Sequence, residues 1–228
     1  MNSDLLRKIT REEIEAYQRD GVLLLQNMFD KDWVELLNKG LDANIEISTK
    51  RSRIWYKDTS GHSMFYDHTA WQDIEEYKKF IFNSPAAQIC GQLMSSANIN
   101  FFFDSIFVRS TGTQFETPWH QDEPYWSVEG HDSCSLWMPL VPVKRKSSLS
   151  FVPGSHRLKT IFKQYNFGDL NPARKKNVDQ VDFSNIAEQE FPDINADPER
   201  FSVVSWDMQP GDCIAFNGRT IHGGSGKL

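Results

Sequence analysis

The chain has 228 residues, of which 39% are hydrophobic and 25% charged, and carries a formal net charge of −6 at pH 7. The length suits one domain with a core of its own, and the composition is that of a folded globular chain rather than a disordered one. The acidic balance disfavours a nucleic-acid partner, and no apolar run approaches the roughly 20 residues of a membrane-spanning helix. Residues 1–8 lack the apolar segment of a signal peptide. Cys90, Cys134 and Cys213 are odd in number and widely spaced, with no CxxC. That pattern argues against a disulfide framework or a structural zinc site and suits a reducing, cytoplasmic setting.

The first hundred residues read as helical. Thr10 and Glu13 have the spacing of a capping box, and Gly21 supplies the stop. Val22 to Leu25 is then an apolar run of strand length. Asp30 caps the next predicted helix, on which Trp33, Leu36, Leu37, Leu41 and Ile45 recur at three- and four-residue steps and form a core stripe. Ser84 and Pro85 repeat the start signal, followed by Ile89, Leu93 and Ala97.

From Ile99 the texture changes to strands. Residues 98–108, 133–143 and 149–152 are rich in Phe, Ile, Leu and Val. Residues 201–206 and 212–216 complete the set, joined by a turn at Gln209, Pro210 and Gly211. Between residues 160 and 200 lies a polar stretch of the length expected for a lid or binding loop. The expectation is one domain over 1–228: a helical N-terminal layer over 1–98, then a mainly β core over 99–228 carrying that insertion.

Six histidines are present: His62, His68, His120, His131, His156 and His222. His120 and Asp122 stand two residues apart, which on an extended backbone aims both side chains at one face. His222 follows the predicted strand at 212–216 and can supply a third ligand. Two imidazoles and one carboxylate with open positions are the ligand set of non-haem Fe(II) oxygenases. A bare His-x-Asp is common by chance, so the weight lies in the strands around it. His156 reads as structural, and His62, His68 and His131 as solvated or locally bonded. Glu123, adjacent to Asp122, would point to the opposite face of an extended strand.

With these residues in place, the chain resembles the phytanoyl-CoA dioxygenase family of Fe(II)- and 2-oxoglutarate-dependent oxygenases. The resemblance runs over nearly the whole chain: residues 10–25, the loop Trp119 to Asp122 with Pro124 to Trp126, residues 136–140, residues 149–156, and residues 211–216 with His222. It implies a double-stranded β-helix, a jelly-roll barrel with helices packed on one sheet. It further implies iron ligands His120, Asp122 and His222, with 2-oxoglutarate and O2 as cosubstrates and Trp137 beside the 2-oxoglutarate. The implied reaction is hydroxylation of an unactivated C–H of a small-molecule metabolite, with release of succinate and CO2. Related iron halogenases lack the carboxylate that Asp122 supplies, so hydroxylation is favoured over halogenation. Tyr125 and Trp126 follow the metal loop, and alternation places Phe101, Phe103, Phe107 and Arg109 on one face. These are the candidates for the substrate pocket.

One departure stands out. The family carries a 2-oxoglutarate-binding arginine on a final strand beyond the distal histidine, whereas this sequence ends at Leu228, six residues past His222. Lys227 is too close to His222 to replace it, and Arg219 precedes it. The expectation is that the final strand is missing by truncation. The competing readings are a non-catalytic barrel that keeps the motif as a relic and a jelly-roll metalloenzyme that works without 2-oxoglutarate.

Overall fold

A computed structural model describes residues 1–113, 116–164 and 189–224. Helix α1 (Arg11–Asp20) begins at the capping box. The Thr10 hydroxyl accepts the Glu13 amide, and the Glu13 carboxylate accepts the Thr10 amide at 2.8 Å. It ends at Gly21, whose φ of 70° is the left-handed conformation that glycine tolerates best. Strand β1 (Val22–Leu25) follows, and then α2 (Lys31–Ile47), capped by the Asp30 carboxylate.

The stripe on α2 holds for its first half only. Trp33 and Leu37 are buried, but Ile45 is 46% exposed. The buried face continues instead through Gly40, against which the Tyr77 ring lies, and Asn44, which donates to the buried carboxylate of Asp67. A polar anchor has replaced the next apolar step.

The segment 1–98 is not helical throughout. Strands β2 (Arg53–Lys57) and β3 (Ser63–His68) form an antiparallel hairpin inside it, and α3 (Glu75–Asn83) and α4 (Ala86–Met94) come after. The aromatic pairs Trp55–Tyr56 and Phe65–Tyr66 are the strand signal there. On α4, Ile89 and Leu93 are buried as the stripe requires, but the helix stops at a left-handed Ser95, leaving Ala97 outside it and exposed.

The later strands are shorter than the apolar runs suggest: β4 (Ser105–Arg109), β5 (Thr117–His120), β6 (Ser135–Trp137), β7 (Leu149–Phe151), β8 (Cys213–Phe216) and β9 (His222–Gly224). Residues 98–104 are irregular, and of residues 201–206 only Val204 makes a bridge, to Phe151. Among the described residues there are three antiparallel sheets, ordered β1-β8-β6, β2-β3-β4 and β5-β9-β7, and none closes into a barrel.

Strand β8 shows how the layers meet. All four of its residues are buried, because both its faces are covered. Cys213 and Ala215 share the outer face with Leu25 and pack on Trp33, Ile89 and Leu93 in the helical layer, while Ile214 and Phe216 share the inner face with Val22 and pack on Phe151. Strand β1 splits the same way, Leu23 and Leu25 outward and Val22 and Leu24 inward. The architecture is mainly β with helices on one sheet, as the sequence suggests. The inner cluster of Phe151, Ile214 and Phe216 is the floor on which the site stands.

Candidate metal centre

His120 and His222 face each other as direct cross-strand partners in the β5–β9 pair. Their ring centroids are 4.1 Å apart. Asp122 completes the group: its Oδ1 lies 3.4 Å from His120 Nε2 and 3.6 Å from His222 Nε2. One donor atom from each residue falls within 4.8 Å of the others, close enough for a single ion. The convergence does not arise from an extended His-x-Asp segment. Strand β5 ends at His120, and Asp122 has helical φ and ψ of −77° and −41°, opening the single 3-10 turn Glu123–Tyr125. The turn swings the carboxylate back over the strand end.

Backbone contacts fix that turn. The amides of Asp122 and Glu123 both donate to the Gly218 carbonyl, at 2.8 and 2.9 Å. Gln121, fully buried, donates to the Arg219 carbonyl and accepts the Phe162 amide. Glu123 points away from the three ligands and forms an ion pair with Arg219 through contacts of 2.6–2.9 Å. Arg219 also faces His131 Nε2 at 3.1 Å. The arginine that precedes the distal histidine is therefore committed to a carboxylate of the metal loop. The segments carrying Asp122 and His222 are clipped together at several points before any ion arrives.

Each imidazole is oriented by the chain itself. His120 Nδ1 lies 2.8 Å from the Pro118 carbonyl and His222 Nδ1 lies 2.9 Å from the Thr220 carbonyl, in both cases two residues back. A carbonyl can only accept, so Nδ1 carries the proton and Nε2 presents its lone pair to the shared centre. The His222 ring stacks on Phe151 at 5.5 Å and leans on Phe216 at 4.8 Å. Burial, reinforced by His120 and opposed by Asp122, pushes the His222 pKa down to about 4, so the ring is neutral at physiological pH. Burial alone would raise Asp122, but His222 and His120 outweigh it and hold the carboxyl below its ordinary value. A neutral His222 imidazole and an ionised Asp122 carboxylate are the protonation states a divalent ion requires of these two groups.

The remaining candidates fall in different places. Trp137, on β6, packs into the inner cluster with Phe151. Tyr125 meets His120 edge-on at 6.2 Å. Trp126 lies over Gly218, with its ring edge-on to Phe102 and Phe103. Phe107 and Arg109 share a face of β4, but Phe101 lies before the strand and packs on Trp71, and Phe103 packs on Phe102, so the four-residue face is cut to two. His156 donates to the Gln18 carbonyl at the end of α1, and His62 pairs with Asp58. Residues 165–188 of the predicted lid, and Lys227, lie outside the described residues. The flanks of that stretch dock beside the site: Phe162 and Ile194 share a cluster with Ile221 and Trp119, and the Gln164 amide donates to the Pro124 carbonyl. Sequence reasoning overlooked Gly218, Glu123 and Gln121 as builders of the site. A glycine just after an apolar strand, and a carboxamide and a second carboxylate beside a motif, carry no signal until the fold brings them together.

No helix among the described residues is long and apolar enough to cross a membrane. A search of curated protein sequences returned no match. Solved structures of similar fold include the non-haem alpha-ketoglutarate-dependent carbocyclase SnoK from nogalamycin biosynthesis, with TM-score 0.73 and 17% identity, covering 100% of this chain and 82% of that one. EctD from S. alaskensis, solved with 2-oxoglutarate and 5-hydroxyectoine, gives TM-score 0.72 at 17% identity over 96% of this chain and 71% of its own. EvdO2 from Micromonospora carbonacea, complexed with 2-oxoglutarate, gives TM-score 0.63 at 17% identity over 96% and 85%. The profile of the phytanoyl-CoA dioxygenase (PhyH) family matches residues 17–227. With the match spanning nearly its whole length, the chain belongs to the phytanoyl-CoA dioxygenase family.

Proposed function

We propose that the protein is an Fe(II)- and 2-oxoglutarate-dependent oxygenase that hydroxylates an unactivated C–H bond of a small molecule, releasing succinate and CO2. The observation that carries this reading is the donor set itself. Two imidazoles, each with Nδ1 tied to a carbonyl, and one ionised carboxylate converge within 4.8 Å. That set of two nitrogens and one oxygen suits Fe(II) and leaves positions open.

His120, Asp122 and His222 would hold the iron, which when bound supplies the oxidising chemistry with 2-oxoglutarate and O2. The residues around it keep the ligands in place. Phe151 and Phe216 close the inner side of His222 against water, and the clips from Gly218 and Gln121 hold Asp122 over the strand end. Trp137, in the same inner cluster, would border 2-oxoglutarate. Phe107, Arg109, Tyr125 and Trp126 are the proposed substrate contacts. The structural relatives are a carbocyclase and an enzyme solved with a hydroxylated product, so the shared fold does not select the outcome of oxidation.

The test is an anaerobic titration of the metal-free chain with Fe(II) and 2-oxoglutarate, followed by visible absorption. A band that needs both additions is expected, and Asp122→Ala should abolish it, together with the succinate that the parent forms once O2 is admitted. Hydroxylation retained by Asp122→Ala refutes the ligand set, and iron binding with no 2-oxoglutarate band refutes the cosubstrate.

A further inference from the structure

Gln121 stands in the chain between two of the three ligands, and its side chain is spent on other partners. It is 1% exposed. Its Oε1 accepts the Phe162 amide at 3.1 Å, and its Nε2 donates to the carbonyls of Arg219 at 3.1 Å and Thr160 at 3.4 Å. The Thr160 carbonyl and the Phe162 amide flank Ile161 as the two groups that a neighbouring strand would bridge. One carboxamide thus does for this segment what a strand residue does in a ladder, with a second proton left for the segment that leads to His222. Glutamate has no N–H to give there and would set a negative charge against two carbonyls, and asparagine is one carbon short.

The segment so held is one arm of a strap. Gln164 donates to the Pro124 carbonyl, in the 3-10 turn that Asp122 opens. Phe162 is buried and packs with Ile194, Ile221 and Trp119. The other arm returns to the same place. The Lys163 amide donates to the Gln189 carbonyl at 2.8 Å, and the indole N–H of Trp119, next to His120, donates to Asn195 at 2.9 Å. Residues 160–164 and 189–195 are therefore hydrogen-bonded to residues 119, 121 and 124, each within two positions of a ligand. If the strap leaves, buried polar groups are orphaned on both sides of the break, and the carboxamide between His120 and Asp122 loses what fixes it. An ion held by those two ligands pins the backbone on both sides of Gln121, which sets the carboxamide where the strap needs it. The coupling is reciprocal: the factor by which docking raises metal affinity is the factor by which the metal raises docking.

We propose that Gln121 is a positioning residue that couples the strap to the metal centre, so that seating a divalent ion on His120, Asp122 and His222 and docking residues 160–164 form one cooperative event. This rests on the ligand set of the oxygenase reading and not on its reaction.

The test uses the full chain and Co(II) alone, added anaerobically. Affinity is read by visible absorption, and docking by hydrogen exchange over residues 158–164 and trypsin cleavage after Lys163. Co(II) should slow exchange and cleavage about tenfold in the parent. Gln121→Met should bind Co(II) about tenfold more weakly, expose the strap in the metal-free chain, and lose the slowing by Co(II). Gln164→Ala, which alters no neighbour of a ligand, should weaken Co(II) in the same direction by a smaller factor, and it carries the test if Gln121→Met does not fold. A Gln121→Met variant with a lowered urea midpoint but the parent's Co(II) affinity and Co(II)-dependent protection overturns the proposal, because the residue would then support the fold alone. So does Co(II) binding that Asp122→Ala abolishes but that leaves strap exchange in the parent unchanged. Co(II) affinity unmoved by Asp122→Ala rejects instead the ligand set, and the coupling with it.

Discussion

Exchanging Arg219 for glutamine isolates the ion pair that fastens the metal loop to the strand of the distal histidine. Glu123 is 6% exposed, and its carboxylate takes three contacts of 2.6–2.9 Å from the Arg219 guanidinium. Among the described residues its carboxylate otherwise accepts the Gly130 amide at 3.3 Å. Removing the guanidinium leaves a buried carboxylate nearly alone, a loss of about 3–5 kcal/mol for such pairs. The Arg219 side chain is itself 17% exposed, so water can enter, which favours the lower end, about 3 kcal/mol. Urea denaturation of the metal-free protein should show a midpoint lowered by about 1 M or more with an unchanged slope. The double variant Glu123→Met/Arg219→Met should recover most of the loss, since two apolar side chains of similar volume leave no orphaned charge. Because the Asp122 and Glu123 amides still reach the Gly218 carbonyl, iron affinity of Arg219→Gln should fall by about tenfold rather than vanish. A single variant within about 0.5 kcal/mol of the parent, or a double variant no better than the single, would refute the reasoning.

Three further predictions come from the same structure. Gly21→Ala forces a Cβ to within 2.2 Å of His156 Nδ1 at a φ of 70°, and should destabilise the protein by at least about 2 kcal/mol in thermal or urea unfolding; a loss under 1 kcal/mol would mean that His156 moves aside freely. Burial, opposed by its own backbone amide and that of Trp71, raises Asp104 from 3.8 to about 6. Ionisation is therefore harder in the folded state, so its contribution to stability is full below pH 4, declines by about 3 kcal/mol as pH rises toward 6, and stays constant above. Asp104→Asn should remove that decline, seen as a gain over the parent at pH 7 but not at pH 3.5 in paired denaturation curves; equal gains at both would show that titration is not the cause. Adding Fe(II) or Co(II) anaerobically should raise the melting temperature of the parent and leave Asp122→Ala unmoved, and an equal rise in both would place the ion elsewhere.

Much of the fold and the ligand set can be read from local chemistry. Thr10 and Glu13, Gly21, and Asp30 act through neighbours three or four residues away, so their roles are visible in a short window. The three residues of the candidate site were legible because the His120 and Asp122 spacing and the predicted strand before His222 suggest them, and the resemblance joins them. The reason given by spacing alone was incomplete, since Asp122 turns inward on a 3-10 turn rather than along a strand. What stayed hidden depends on distant contacts. Asn44 replaces an apolar step on α2 because Asp67 waits on β3, and Glu123 looks like a spare acid until Arg219 arrives from 96 residues away. The β2–β3 hairpin was missed because its aromatic strands sit between helical patterns, and its open face removes the alternation that marks a half-buried strand.

The direct pairing of His120 with His222 across β5 and β9 has a consequence for how sequence change can reach the metal. The spacing of the two nitrogens is set by sheet geometry, not by the hundred or so residues of chain between them. Insertions, deletions or whole-loop replacements in that interval leave the ligands facing one another so long as the ladder keeps its alignment. A slip of a single residue would instead put Gly223 or Ile221 opposite His120 and dismantle the centre outright. Iron affinity is thus a gauge of strand alignment, and the intervening loops can diversify toward new substrates while the metal centre stays fixed.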